Sequence, residues 1–302
     1  MNKAALLLTI SVLITGANGI IASNTSETSS HIVFLRTLIA SIFMLALFLL
    51  TRHKFTFYKS PRDFIFIAAS GLSMGVSWLF LYEAYLEIGV SLATLLFYIG
   101  PIIIMVLSPF LFKEKHTVQK LIGFSMVLIG VLLVNGIAVS NGAVPYGIFC
   151  GAMSAVFYSC LMIFSKKVTV MKGIENPLFQ FIFSFIAVAI YVGLSGGYGF
   201  VLNVSAHDWM LLAILGIVNT GFASTLYFTS VPHVKAQTLA VISYLELLSA
   251  VIYSAIFLNE NLAPLQILGA ALIICGALIA ELWHAKKTGA GTETGTESKP
   301  PA

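Results

Sequence analysis

The chain has 302 residues, of which 59% are hydrophobic and 9% charged, against roughly 25% charged in an ordinary soluble domain. So little charge cannot cover a water-facing surface, which argues against a soluble globular enzyme and makes lipid the solvent for the apolar remainder. The length holds about ten spanning helices of about 20 residues each and leaves no room for a nucleotide-binding domain; no Gly-Lys pair occurs, so the Walker A loop of an ATP-driven pump is absent.

In chain order, apolar spans are predicted at roughly 4–22, 31–51, 64–86, 90–112, 120–140, 145–165, 178–198, 209–230, 235–258 and 263–284. Asn24-Thr25-Ser26-Glu27 separates the first two, and Pro61, Pro145, Pro177 and Pro264 stand at the starts of the third, sixth, seventh and tenth, where a missing backbone N–H is tolerated. Lys3 ahead of an apolar run has the look of a signal peptide. Span 1 is nevertheless read as part of the fold, because its removal would break the internal repeat described below. The stretch 286–302 is polar and Gly/Thr-rich and is expected to be a disordered tail. Cys150, Cys160 and Cys275 all lie in apolar runs without metal or redox spacing and read as small buried hydrophobes.

Fifteen of the sixteen Lys and Arg residues fall at the N-terminus, in the 2–3, 4–5, 6–7 and 8–9 connections, or at the C-terminus. The connections on the opposite side carry none, and Arg36 alone lies inside a span. This positive-inside asymmetry predicts cytoplasmic termini. It also turns the net charge of +4 into an orientation signal and removes the case for a nucleic-acid partner.

The two halves align at an offset of 146, which places Tyr98 on Tyr244, Glu114 on Glu260, Gly123 on Gly269 and Gly130 on Gly276. Five spans per half is an odd number, so the halves enter the membrane from opposite sides. Many secondary transporters have such inverted repeats, with the site at the repeat interface. The predicted fold class is therefore an all-α membrane protein of ten transmembrane helices in two inverted five-helix repeats, 1–142 and 143–285.

FLRTLIAS at the start of span 2, YIGP and LFKEK closing span 4, and SYLE through FLNENLAPLQILGAALIICGALI across spans 9 and 10 resemble the ten-helix EamA-type transporters of the drug/metabolite transporter superfamily. The resemblance covers the whole chain less its tail. It implies a bacterial inner-membrane transporter with a cavity between the halves, exporting amino acids, drugs or other metabolites, with import of a small cationic solute of the quaternary-amine type as the alternative. It implies a small-molecule solute and the lipid bilayer as partners, protons or another ion for coupling, a homodimer as one assembly, and neither cofactor nor metal. The pattern departs at one place: Leu247 follows Glu246 where the family often has proline, so a bend in span 9 is not expected, while Pro101 and Pro109 should bend span 4.

Residues at i, i+3, i+4 and i+7 share a helix face. Polar or aromatic stripes at that spacing occur in span 1 (Ser11, Thr15, Asn18), span 3 (Gly75, Trp78, Tyr82, Tyr85), span 4 (Thr94, Tyr98) and span 6 (Ser154, Tyr158). They recur in span 8 (Thr220, Ser224, Tyr227) and span 9 (Ser243, Glu246, Ser249, Tyr253). Such faces are expected to turn away from lipid, and spans 5 and 10 to face lipid or pack on helices. The hydroxyls read better as packing groups, as do the GxxxG pairs Gly71/Gly75 and Gly147/Gly151. Asn18, Trp78, Tyr82, Tyr98, Tyr158, Tyr227, Tyr244 and Glu246 are the candidates for lining a pathway, with the aromatic belt as a competing reading for Tyr82.

Glu246 is the coupling candidate. It lies about 16 Å into span 9 at 1.5 Å per residue, near mid-bilayer, where a carboxylate is costly unless protonated, paired or hydrated. That suits a proton-coupling or amine-binding role. Tyr244 sits about 200° away on a straight helix, so both cannot face one cavity. Arg36 is expected to snorkel, cap a carbonyl or pair with Glu83.

Two other function classes fit the sequence less well. GxSxG occurs at 71–75 and 193–197, but no histidine lies deep in a span to serve as base, so an intramembrane hydrolase is disfavoured. No charged ring or filter loop recurs by symmetry, which disfavours a channel.

Overall fold

A computed structural model of the chain describes residues 3–52, 54–100, 144–171, 173–230, 233–234, 236–260 and 263–290, together with 103–104, 107, 111, 122–123, 125–130 and 132–133. Among the described residues there are helices and connections and no strand. In the first half the described residues include the helices α1 (Lys3–Gly16), α2 (Asn18–Ser23), α3 (Ser29–Leu50), α4 (Pro61–Ile88) and α5 (Val90–Phe97). Those of the second half are α6 (Pro145–Lys166), α7 (Glu175–Ser195), α8 (Ala206–Ala213), a π-helical segment (Ile214–Phe222), α9 (Ala223–Ser230), α10 (Ala236–Phe257) and α11 (Pro264–Ala290).

Among the described residues, six helical stretches are long and apolar enough to cross a membrane: Lys3–Ser23, Ser29–Leu50, Pro61–Ile88, Pro145–Lys166, Glu175–Ser195 and Ala206–Ser230. Leu245–Phe257 and Pro264–Gly276 are shorter apolar helices. These eight fall on predicted spans 1–3 and 6–10. Much of predicted spans 4 and 5 lies outside the described residues, and so do Pro101, Pro109 and Glu114.

Several boundaries differ from expectation. Span 1 is broken by a turn at Ala17 between α1 and α2. Span 7 stops at Ser195, short of 198, because the chain turns at Gly196 and then at Gly197, whose φ of +76° suits glycine. Helix α11 continues to Ala290, past Lys286 where the tail was expected to begin. Span 4 is interrupted by a turn at Tyr98 and Ile99.

Small residues decide the packing. A Cβ added at Gly71 would meet the Gln180 carbonyl at 2.5 Å, and one at Gly75 the Ser184 carbonyl at 2.7 Å, so this GxxxG pair seats α4 on α7. Gly147 and Gly151 do the same for α6, against Glu87–Ile88 and Leu96. Gly130 faces the Gly269 carbonyl at 2.6 Å and Gly276 the Gly123 carbonyl at 2.7 Å. As one chain ascends from 123 to 130 its partner descends from 276 to 269, so the two segments cross antiparallel. The equivalent positions exchange partners, which is the signature of a local two-fold axis.

Polar side chains tie the halves together at both ends. At the end carrying the basic 2–3 and 6–7 connections, Asp63 accepts from the backbone N–H groups of Thr169 at 2.8 Å and of Val170. Glu175 accepts there from those of Thr56 and Phe57 at 2.6 and 3.0 Å. At the opposite end Asp208 accepts from the Ser26 N–H at 3.0 Å, and Glu260 from those of Val90 and Ser91 at 2.7 and 2.9 Å. Asp63 and Asp208 stand alike: each donates its own N–H to an N-cap serine three residues earlier, Ser60 and Ser205.

Candidate functional site

The buried centre of the molecule is built around Arg36 of α3, which is 3% exposed. Its Nε donates to Thr220 Oγ1 at 2.9 Å and its Nη1 to the Tyr82 hydroxyl. The guanidinium lies over the Trp78 ring at 4.0 Å and within 5.2 Å of the Tyr82 ring centre, the stacking that a flat, delocalised cation favours. The expectation of an Arg36–Glu83 pair is therefore corrected: Glu83 instead takes a hydrogen bond from Ser29. Periodicity placed both residues near the same end of neighbouring helices, but rotation of α3 turns Arg36 into the bundle.

Thr220 reaches Arg36 because of the π-helical segment. Its hydroxyl donates to the Leu215 carbonyl at 2.7 Å, five residues back, which leaves the oxygen free to accept from Arg36. In the same segment Asn219 donates to the Ile14 carbonyl of α1 at 2.7 Å. Wide turns of this kind occur often at functional sites.

Glu246 of α10 faces the same region. Tyr98 and Thr15 lie beside its carboxylate, and Arg36 acts on it through space. The Tyr82 and Tyr85 rings lie 5.2 Å apart, and both are buried. Helices α1 and α10 touch at this level: a Cβ on Gly16 would lie 3.2 Å from the Glu246 carbonyl and closer still to Ser249. The cluster thus takes Thr15, Arg36, Trp78, Tyr82, Tyr85 and Tyr98 from the first half and Thr220 and Glu246 from the second.

Of the eight candidates, Trp78, Tyr82, Tyr98 and Glu246 come together here. Tyr158 joins at the margin, its ring 4.7 Å from that of Phe97, which is itself 5.7 Å from Tyr98. Asn18 begins α2, half-buried, and its Oδ1 is sealed without a partner. Tyr227 lies apart, against the apolar cluster of Ala5, Leu8, Val12 and Ile242 near the start of α1. The side chain of Tyr244 lies outside the described residues.

The hydroxyl stripes do serve packing. Ser11 donates to the Ala223 carbonyl at 2.7 Å, Ser77 to that of Ser154 at 2.8 Å and Ser70 to that of Leu161 at 3.0 Å. In the two GxSxG matches, Ser73 and Ser195 donate to carbonyls four residues back, Ala69 and Tyr191. Both are helical serines rather than nucleophiles raised on a strand-to-helix turn. Cys150 is buried, but Cys275 is exposed, against the expectation that all three cysteines are buried; it sits on the outer face of α11, where an apolar thiol meets lipid without cost.

Sequence reading missed the role of Arg36, although the signal was present: it is the one cation placed inside a span. The π-helical segment left no composition signal.

The EamA-like transporter family matches the chain over residues 2–136 and 145–282. YxxF of Bacillus subtilis (strain 168), described as an uncharacterized transporter, is 24% identical over 298 residues, covering 97% of this chain and 94% of its own length. An uncharacterized transporter of Helicobacter pylori (strain ATCC 700392 / 26695) is 26% identical over 255 residues, covering 83% of this chain and 84% of its own length. Among solved structures, one crystal structure superposes with a TM-score of 0.65 over 93% of this chain and 98% of its own, at 19% identity; it supports the fold alone.

Proposed function

Because the chain belongs to the EamA-like transporter family, we propose that it is a secondary active transporter exporting small organic metabolites such as amino acids or amines across the bacterial inner membrane. Ten spanning helices form two inverted five-helix repeats, with both termini cytoplasmic, and the halves rock about a shared site to open it to one side at a time. The antiparallel exchange of Gly123, Gly130, Gly269 and Gly276 supports the inversion.

The observation that carries this reading is the buried cluster to which both halves contribute, with the charged groups Arg36 and Glu246 on opposite halves. A membrane-embedded charge is costly and marks a pathway more often than a scaffold. Glu246 is the group that couples transport to protons. Import of a quaternary amine is the weaker reading, since the Trp78 and Tyr82 faces that would hold such a cation already hold Arg36.

The test is flux through the purified protein in sealed vesicles. Saturable counterflow without single-channel current is expected, and unitary currents would sink the transporter reading. Glu246→Gln is expected to slow proton-driven flux at least tenfold and to flatten its pH dependence. If rate and pH profile are both unchanged, Glu246 does not couple.

A further inference from the structure

At the end of the bundle where α1 begins, a cleft of about 470 Å³ lies between the two halves, lined by Lys3, Ala4 and Leu7 of α1 and by Thr229, Ser230 and His233 of the second half. That volume is within the roughly 300–1,000 Å³ of small-molecule sites. Val234 packs on the cluster of Ala5, Leu8 and Val12, which holds the connection after α9 against the first turns of α1.

Ser230 is the wall residue whose placement the fold does not explain. It is fully buried, yet its Oγ has no hydrogen-bond partner. Other hydroxyls of the same helix avoid this by donating to the preceding turn, Thr225 to the Gly221 carbonyl and Thr229 to those of Thr225 and Leu226. A buried hydroxyl left unpaired is unfavourable, so a ligand that accepts from it gains what the fold has not used.

The rest of the wall says what that ligand is. Lys3 brings an ammonium with three N–H donors, His233 an imidazole N–H and Ser230 its O–H, and none of the six lining residues is acidic. Lys3 also opens a helix of 14 residues, whose N-terminus carries the positive end of the helix dipole. Donors on three separate residues suit the several oxygens of a phosphate better than the two of a carboxylate. Ala4 and Leu7 complete the wall with apolar surface. A second cleft, of about 230 Å³, is lined by Lys54 and Glu175 and differs in kind: its carboxylate is built in and already takes the N–H groups of Thr56 and Phe57.

We propose that the cleft between α1 and the end of α9 binds a phosphate oxyanion through Lys3, Ser230 and His233, with an apolar substituent along Ala4 and Leu7. Anionic phospholipids and free phosphate both carry that group. Bound there, it joins the first half to the second at the end proposed above to face the cytoplasm. The site stands apart from Arg36 and Glu246 and does not depend on what the chain transports.

The experiment uses the full chain in an uncharged, phosphate-free detergent and follows thermal unfolding. The probes are inorganic phosphate against sodium chloride of equal ionic strength, and a short-chain phosphatidylglycerol against the diacylglycerol of the same chains. At saturation a phosphate-bearing probe is expected to raise the wild-type midpoint by about 3 °C or more, as a ligand of the folded state alone does. Lys3→Gln and Ser230→Ala should each raise the half-maximal concentration about tenfold, the loss of one hydrogen bond to a charged group. Ser230→Ala removes an unpartnered hydroxyl, so without probe it should unfold at or above the wild-type temperature. A shift with inorganic phosphate identifies free phosphate as a sufficient ligand, and a shift with phosphatidylglycerol alone identifies the lipid; either supports the site. No shift with either probe, or the same half-maximal concentration in both variants as in the wild type, overturns it.

Discussion

Arg36 and Glu83 lie on neighbouring helices at similar depth, as their positions in spans 2 and 3 imply, yet each finds a different partner. Depth follows from counting residues. Rotation about the helix axis and the crossing of helices do not, and they decide which side chains meet. Glu246 could be singled out from sequence because a carboxylate deep in an apolar run is rare, but its neighbours Thr15 and Tyr98 come from helices far away in the chain. Glu260 gives a second case: the repeat marked it as paired with Glu114, and the structure adds that it caps two N–H groups behind Gly89. Gln in its place can accept at only one oxygen. Glu260→Gln should therefore lower stability by about 1–3 kcal/mol, the cost of a lost charge-assisted hydrogen bond, readable as a lower midpoint in thermal unfolding of the detergent-purified protein. An unchanged midpoint would make the contact incidental.

At the scale of elements, the apolar runs placed helices well wherever a single helix fills a span. Spans 2, 3 and 6 agree to within a few residues with α3, α4 and α6. The reading was poorer where one span holds two conformations. The turn at Ala17 and the π-helical segment, which Asn219 ties to the Ile14 carbonyl of α1, leave no trace in hydropathy. GxxxG was more informative: both pairs mark real helix contacts. Gly75→Val should cost about 1–3 kcal/mol through overpacking, since even a Cβ there would meet the Ser184 backbone at 2.7 Å. Gly199→Ala, where nothing lies within 4 Å, is the matched control and should unfold at the wild-type temperature. Equal loss in both would show that the α4–α7 contact is soft.

At the scale of the whole molecule, orientation is a matter of charge. Connections that share one end of the bundle, such as those of Asp63 with Thr169 and of Glu175 with Thr56, are also the basic ones, and the end that joins Asp208 to Ser26 bears no Lys or Arg. In a variant with Cys150, Cys160 and Cys275 replaced, Asn203→Cys should react with a membrane-impermeant maleimide in intact cells, and Thr56→Cys only after permeabilisation. The reverse pattern would invert the topology. The sequence repeat announced two halves, and the glycine crossing displays their axis, but the halves are not equal copies. Asp63 and Gly71 lie 145 positions before Asp208 and Gly216, whereas Gly75 lies 146 before Gly221. Gly216 and Gly221 are therefore one residue further apart than Gly71 and Gly75, and the π-helical segment is where the helix accommodates the difference, since such a turn holds one residue more than an α-turn. The asymmetry between the halves therefore falls beside Thr220, whose hydroxyl donates to the Leu215 carbonyl and leaves its oxygen to accept from Arg36.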